Sequence, residues 1–297
     1  MRPDLMDVSA PIKPFRWKLA KREQLGELVD IAAAETYPGF VEHLRTAAAR
    51  VLAMAGDSDL VFVGRSPECL FDYLSGTLEG IADAPSLTLM HFSAPNVPAD
   101  ELARRHAAEL DALFAYFASE RLDPTSIATY GKRVRFIDVV ASGQTFGALV
   151  ECLRLWAERQ GADWNVVERR IGFVGLTPQK ETSPNVWRWW KHQPWAKALT
   201  KTPIKNVAVP GSFWGYIANN DEKATPSHWL KRWASPESTE PCRDPHRLRG
   251  LRLALDNYDR GRDKTERALF VRELTQLPGM RDAWLRSLVL RLRGVAP

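Results

Sequence analysis

Short apolar runs alternate with segments of helical period through the middle of the chain. Five runs rich in β-branched and aromatic residues predict buried strands: Leu60–Val63, Leu87–Phe92, Val134–Val140, Arg170–Leu176 and Asn206–Val209. Helical patterns separate several of them, over about residues 68–81, 99–119 and 143–160. Because strands that alternate with helices imply right-handed crossovers, we predict an α/β fold with a doubly wound, mostly parallel five-stranded sheet.

The two flanks of this region read as helical. Leu25, Leu28, Val29 and Ala32 predict a first N-terminal helix, and Phe40, Leu44 and Ala48 a second. Turn residues dominate from Pro210 to Pro245, which predicts loop with short ordered pieces. Three helical stripes follow, giving a helical C-terminal extension: Leu248–Tyr258, Ala268–Leu277 and Trp284–Leu292. We therefore divide the chain into N-terminal helices that pack on the core (1–56), an α/β core (57–211) and a basic, Trp-containing helical subdomain (212–297).

The segment from Arg133 to Leu149 carries the clearest chemical signal. Its apolar strand contains one acid, Asp138, and a helical pattern begins shortly after it. The small, polar loop between them consists of Ala141, Ser142, Gly143, Gln144 and Thr145. Such a loop directs backbone N–H groups and a helix dipole at one place, so it can hold a phosphate without a basic side chain. Hydroxyls of Ser142 and Thr145 would add donors, and Gly143 would let the backbone approach the ligand.

These residues resemble the phosphate-binding motif of the type I phosphoribosyltransferases. In that family an apolar strand ends in two acids, and a Thr/Ser-Gly-x-Thr loop then cradles the 5-phosphate of phosphoribosyl pyrophosphate (PRPP). Residues 142–145 match the loop, and Asp138 matches the second acid. Two positions depart from the pattern: Ile137 replaces the first acid, and Ala141 stands where many purine enzymes carry a catalytic Asp. The paired acids of the family hold the ribose hydroxyls, so the resemblance implies one such contact here, from Asp138.

A second match follows the first predicted strand. Gly64, Arg65 and Ser66 come directly after Leu60–Val63, and the family uses the loop at this place to bind pyrophosphate. A guanidinium can chelate phosphate oxygens with two hydrogen bonds, which suits Arg65. The alternative is a surface arginine at a strand end, with Pro67 as the first residue of a helix. The resemblance covers about residues 57–211.

The resemblance implies an enzyme that transfers phosphoribose from PRPP to a small-molecule acceptor and releases pyrophosphate. Catalysis would consist mainly of positioning the reactants and balancing charge, with Asp138 and Arg65 as the catalytic residues. Mg²⁺ would be bound through PRPP rather than by protein side chains. The six histidines are dispersed without metal-ligand spacing. The sequence leaves the acceptor and a homodimer open.

Two other functions remain open at this stage. A non-catalytic PRPP or nucleotide sensor, or an interaction protein, would keep the phosphate loop and lose the chemistry, as Ile137 suggests. Glu68 and Asp72, one helical turn apart, are candidate replacements for the missing acid. Nucleic-acid binding would use the basic, Trp-rich part, since residues 178–297 hold 22 Lys and Arg against 12 Asp and Glu. Packing of a subdomain explains that composition more simply, so nucleic acid is not expected as a partner.

Composition adds little beyond a globular protein. Hydrophobic residues make up 45% of the 297, and the net charge is +5. The three cysteines lack metal or disulfide spacing. Neither a bilayer-spanning run nor an apolar signal region is evident, which predicts no membrane association and a cytoplasmic location. The stretch around VWRWWKHQPW is a candidate hood over the acceptor or an ordinary packing element.

Overall fold

A parallel five-stranded sheet forms the centre of the protein. A computed structural model describes residues 11–179, 188–220 and 222–294. The strands are β1 (Ser58–Val63), β2 (Leu87–Met90), β3 (Arg133–Val139), β4 (Ile171–Pro178) and β5 (Ile204–Val209). They lie in the order β2-β1-β3-β4-β5, and every neighbouring pair is parallel. The predicted α/β fold with a five-stranded parallel sheet is confirmed.

Helices cover both faces of this sheet. In the described parts of the chain they are α1 (Phe40–Ala55), α2 (Glu68–Leu78), α3 (Ala99–Arg105), α4 (Ala107–Ser119), α5 (Pro124–Thr129), α6 (Gln144–Gln160), α7 (Trp164–Arg170), α8 (Pro194–Lys197), α9 (Gly211–Asn219), α10 (Leu230–Trp233), α11 (Pro245–Arg262), α12 (Lys264–Thr275) and α13 (Ala283–Gly294). The three C-terminal stripes all form helices, α11 to α13. Each stripe is buried on one side, as the apolar period predicts.

Three local predictions from the sequence need correction. The expected helix around Leu25 is wrong: two short 3₁₀ turns occupy Arg22–Gln24 and Gly26–Val29. Leu25 is buried in one cluster with the α11 residues Leu251 and Leu255. The apolar spacing of this segment therefore reflects packing on α11 and not a local helix. The pattern over 99–119 is broken between α3 and α4 at His106, whose backbone leaves the helical region. Conversely, the segment after Pro210 forms α9, with Phe213 and Ile217 buried one turn apart.

Alternate residues of β3 contribute to the two largest apolar clusters among the described residues. Ile137 belongs to the cluster that includes α1, α2, α9, α12 and α13, whereas Phe136 belongs to the cluster with α4, α6 and α10. Side chains of successive strand residues point to opposite faces, so the two clusters lie on opposite faces of the sheet. Helices from both flanks of the chain thus pack on the same face as α2. The division at residues 56 and 211 stays a prediction.

Helix α11 crosses α2 at backbone contact distance. A Cβ on Gly76 of α2 would lie 1.9 Å from the carbonyl oxygen of Tyr258, and one on Gly261 of α11 would lie 2.1 Å from that of Tyr73. No side chain fits between helices this close, so glycine is required at both positions. The crossing holds the first C-terminal helix against α2, next to the loop that follows β1. Within the described ranges, each helix is too short or too polar to span a lipid bilayer.

We expect Gly261→Ala to destabilise the protein by about 1–3 kcal/mol or more, because the added methyl forces α11 away from α2. Gly215→Ala in α9 is the matched control, since a Cβ there meets nothing within 4 Å. Helix propensity alone should make that control slightly more stable, by about 0.5–1 kcal/mol. Urea unfolding of the two variants and the wild type measures both changes. Equal stability of Gly261→Ala and the wild type would contradict the close crossing.

Candidate functional site

The two loops that the sequence singled out follow adjacent strands. Phe62 of β1 pairs with Ile137 of β3, so both strands end at the same edge of the sheet. The chain leaves β1 toward β2 at one sheet edge and returns to β3 on the other side of β1. This reversal of strand order is a topological switch point, where open α/β sheets bind ligands beyond the carboxyl ends of their strands. The loops at 64–67 and 140–143 flank it.

The loop after β3 has the local form of an anion site. Gly143 has a φ of +86° and turns the chain into the 17-residue helix α6, which has no acid in its first turn. Ala141, Ser142 and Gln144 are exposed, and Thr145 is half-buried. Unpaired N–H groups at the start of a long helix, together with the exposed Ser142 hydroxyl, favour a bound anion. The loop therefore has the donors that a phosphate requires.

Asp138 is buried at the end of β3 and is joined to this loop. Its Oδ1 accepts a hydrogen bond from the Val139 N–H at 2.7 Å, and the carboxyl also accepts one from the Thr145 side chain. Burial raises the pKa of Asp138 to about 8, and the two hydrogen bonds oppose that rise only in part. A large fraction of the carboxyl is therefore protonated at neutral pH. The hydrogen bond with Thr145 joins the end of β3 to the first turn of α6.

The loop after β1 is more closely packed. Gly64 has a φ of +71°, its N–H donates to the Met90 carbonyl at 2.8 Å, and a Cβ there would lie 2.9 Å from the Phe92 oxygen. Arg65 and Ser66 are half-buried, and Pro67 lies at the cap of α2, just before its first helical residue. The loop thus places one guanidinium at the end of β1. Its role toward pyrophosphate stays a prediction.

The two candidate replacement acids are already engaged by Arg16. Its guanidinium bonds Glu68 Oε1 at 2.8 Å and makes a second ion pair with Asp72. Glu68 also accepts a hydrogen bond from the Thr225 N–H at 3.3 Å. Burial raises the pKa of Asp72, and the Arg16 charge opposes the rise. Both carboxylates are therefore tied to a buried arginine. Oδ2 of Asp72 has no hydrogen-bond partner among the described residues, but it is buried.

The ring of Trp189 packs against the loop that follows β3, which we call the phosphate-type loop (residues 140–145). A Cβ on Gly143 would lie 2.7 Å from the Trp189 ring, and one on Gly175 of β4 would lie 2.7 Å from its Nε1. Trp195 fills the equivalent space beside Gly147. Trp189 is 2% exposed and packs on Phe146, with ring centroids 5.6 Å apart. It is a core residue in this conformation, which favours packing over a hood for this part of the segment; residues 180–187 lie outside the described ranges.

Sequence reasoning missed this contact, although a signal for it existed. Gly143 and Gly147 are four residues apart, so they mark one face at the start of α6 as open to a large partner. The contact gives a second reason for glycine at position 143, besides the close approach of a ligand: a side chain there would collide with the Trp189 ring. A β-branched residue there would be strained at positive φ and would displace Trp189, so Gly143→Val disturbs the fold as well as any ligand.

A cavity of about 550 Å³ lies at the β2 edge of the sheet, on the other side of β1 from β3. The N-terminal segment 13–21 covers it, and His91, Tyr116 and Asp72 are among its lining residues. Neither Asp138 nor residues 141–145 line it. The backbone N–H of His91 donates to the Tyr116 hydroxyl at 3.0 Å, and burial lowers the pKa of the His91 ring. This cavity and the switch-point loops are therefore separate features.

Comparison with known proteins gives no independent assignment. No family model matches the chain, and no curated protein or solved structure matches it significantly. In the part of the chain that the structure describes, no group of three or more acidic, histidine or cysteine side chains is placed to hold a metal ion. Function must therefore be argued from the residues at the switch point.

We expect the stability advantage of Asp138→Asn over the wild type to grow as the pH rises from about 5 to about 8. The folded wild type keeps a proton on Asp138 in this range and the unfolded chain releases it, so wild-type stability falls by up to about 1.4 kcal/mol per pH unit. Asn is neutral and can keep both hydrogen bonds, because its oxygen accepts from Val139 and its amide donates to Thr145. Urea unfolding across this range measures the difference; parallel curves would contradict a raised pKa.

Trp189→Ala should cost about 3–5 kcal/mol of stability, because it removes a fully buried aromatic ring from behind the loop. Trp229→Ala is the matched control, since Trp229 is 46% exposed and contacts Lys231 at the surface. That substitution should cost less than about 1 kcal/mol. Thermal unfolding of both variants measures the contrast. Similar small losses would show that Trp189 is a mobile cover rather than part of the core.

Proposed function

We propose that the protein is a PRPP-dependent transferase that moves phosphoribose to a small-molecule acceptor and releases pyrophosphate. One observation carries the proposal: the loops after β1 and β3, each of which resembles a PRPP-binding segment, flank the topological switch point of one parallel sheet. Sequence resemblance and sheet order are independent of each other. Their agreement supports a single ligand that spans the two loops.

The proposed roles follow from the chemistry of each segment. The 5-phosphate binds the N–H groups at the start of α6, including that of Thr145, with a hydroxyl donor from Ser142. The Thr145 hydroxyl donates to Asp138 instead. Arg65 balances the charge of the leaving pyrophosphate, with Gly64 and Ser66 at its side and Mg²⁺ carried by the pyrophosphate itself. The reaction needs positioning and charge balance rather than a covalent intermediate.

Asp138 is proposed to accept a hydrogen bond from a ribose hydroxyl. The hydroxyl donates to the ionised carboxylate, so PRPP binding favours the deprotonated form. Because burial holds the pKa of Asp138 at about 8 in the free protein, affinity for PRPP should rise with pH up to about that value. Ile137 provides no second acid, and its side chain is fully buried on the opposite face of the sheet from Asp138.

The sharpest test of the loop compares two variants of Ser142 that have the same shape and differ in charge. Ser142→Asp places a carboxylate where the phosphate is proposed to bind, so it should abolish binding of PRPP with Mg²⁺ in a calorimetric titration. The fold should be retained, because an acid at a helix N-terminus is stabilising by about 0.3–1 kcal/mol. Ser142→Asn, a neutral variant of the same shape, is the control and should bind. Equal affinities of the two variants would exclude the loop as the phosphate site.

A second candidate, a PRPP sensor without turnover, is favoured by the engagement of Glu68 and Asp72 with Arg16. It leaves Asp138 as the single acid proposed for the ribose. Pyrophosphate release from PRPP and Mg²⁺, followed with a metabolite extract as the source of acceptor, separates the two functions. A transferase releases pyrophosphate only with the extract, and Asp138→Asn loses most of that turnover; a sensor binds PRPP and releases none.

A further inference from the structure

A basic groove lies between α12 and α13, away from the switch-point loops. Its volume is about 320 Å³. Five cationic side chains line it, and no acidic one does: Arg262, Lys264, Arg267, Arg272 and Arg293. Its remaining lining consists of Ala268, Val271, Thr275 and Leu292. Cations from three helices therefore meet around a small apolar floor.

The sequence of α12 explains why these groups share one face. Lys264, Arg267, Val271 and Thr275 recur at intervals of three and four residues, which is the period of a helix face. Lys264, Arg272 and Arg293 are exposed, and none makes an ion pair with a described residue. Arg262 pairs with Glu79 at 2.6 Å, and the charge of Glu79 also acts on Arg267. The lining itself therefore holds five cations and no acid, which makes the groove positively charged.

Arg267 is the innermost of these cations and is incompletely bonded. It is only 8% exposed, and its Nη2 donates to the Gly76 carbonyl at 3.3 Å. Its buried Nε has no hydrogen-bond partner among the described residues. A buried guanidinium with an unused donor carries a desolvation cost that a bound anion would offset. This makes Arg267 the natural anchor of a ligand in the groove.

We propose that this groove is a binding site for a phosphate monoester of a small molecule, separate from the proposed PRPP site. The phosphate lies against Arg267 with Lys264 and Arg272, since guanidinium groups pair with phosphate through two parallel hydrogen bonds. The apolar part of the ligand packs on Val271 and Leu292. A volume of about 320 Å³ is within the usual range for a small-molecule site, which favours a metabolite over a polynucleotide.

Phenyl phosphate is the probe, because it carries one phosphate and one apolar ring. We expect the double variant Lys264→Gln and Arg272→Gln to bind it about tenfold or more weakly in a calorimetric titration, since it removes two charge-assisted hydrogen bonds to the phosphate. Both side chains are exposed, so the fold should be unchanged. Arg281→Gln is the matched control: Arg281 is exposed on the same subdomain and does not line the groove.

The titration is repeated with Ser142→Asp, which removes phosphate affinity at the other proposed site. Unchanged affinity of phenyl phosphate in that variant places the binding in the groove. Equal affinities of the double variant and the Arg281→Gln control would overturn the proposal. Binding of a single-stranded oligonucleotide that depends on Lys264 and Arg272, with no binding of phenyl phosphate, would overturn it in favour of a polynucleotide surface.

Discussion

Pairing of β1 with β3 is the constraint on which the candidate site depends. The two strands are separated by about seventy residues, and only their direct hydrogen bonding places the loop after Val63 beside the loop after Val139. Five parallel strands could be arranged in many orders, but a reversal between β1 and β3 is the one that opens a crevice between these loops. Without this pairing the two loops would not lie side by side, and one ligand could not contact both.

Glycine contacts hold the elements around that crevice. At the α2–α11 crossing, Gly76 and Gly261 allow backbone to meet backbone, which fixes the helix that follows the first loop. At the second loop, Gly143 and Gly175 accept the ring of Trp189, which supports the loop from behind. Both contacts leave no space for a side chain at these glycines, so they fix how closely the neighbouring elements approach each loop.

Buried charge is used differently in the two halves of the molecule. Near β1, Arg16 of the N-terminal segment makes ion pairs with Glu68 and Asp72, so opposite charges meet within the fold. Near α12, Arg267 keeps an unbonded donor, and the groove around it is lined by cations and by no acid. The first cluster ties a chain segment to α2, whereas the second leaves an attractive potential for an anion. Local charge balance thus separates a structural cluster from a proposed binding site.

The sequence by itself determined the strands, most helices and the local form of the phosphate-type loop, because each depends on short-range patterns of apolar, β-branched and small residues. Asp138 and residues 141–145 could be found in this way. Only the tertiary structure decided the strand order, the engagement of Glu68 and Asp72 by Arg16, and the contact of Trp189 with Gly143 and Gly175. The 3₁₀ turns at Leu25 are a further example. The apolar residues of this segment are spaced as in a helix because they pack on α11, and the segment itself is not an α-helix. Contacts between residues distant in the chain are set by packing, which no local pattern encodes.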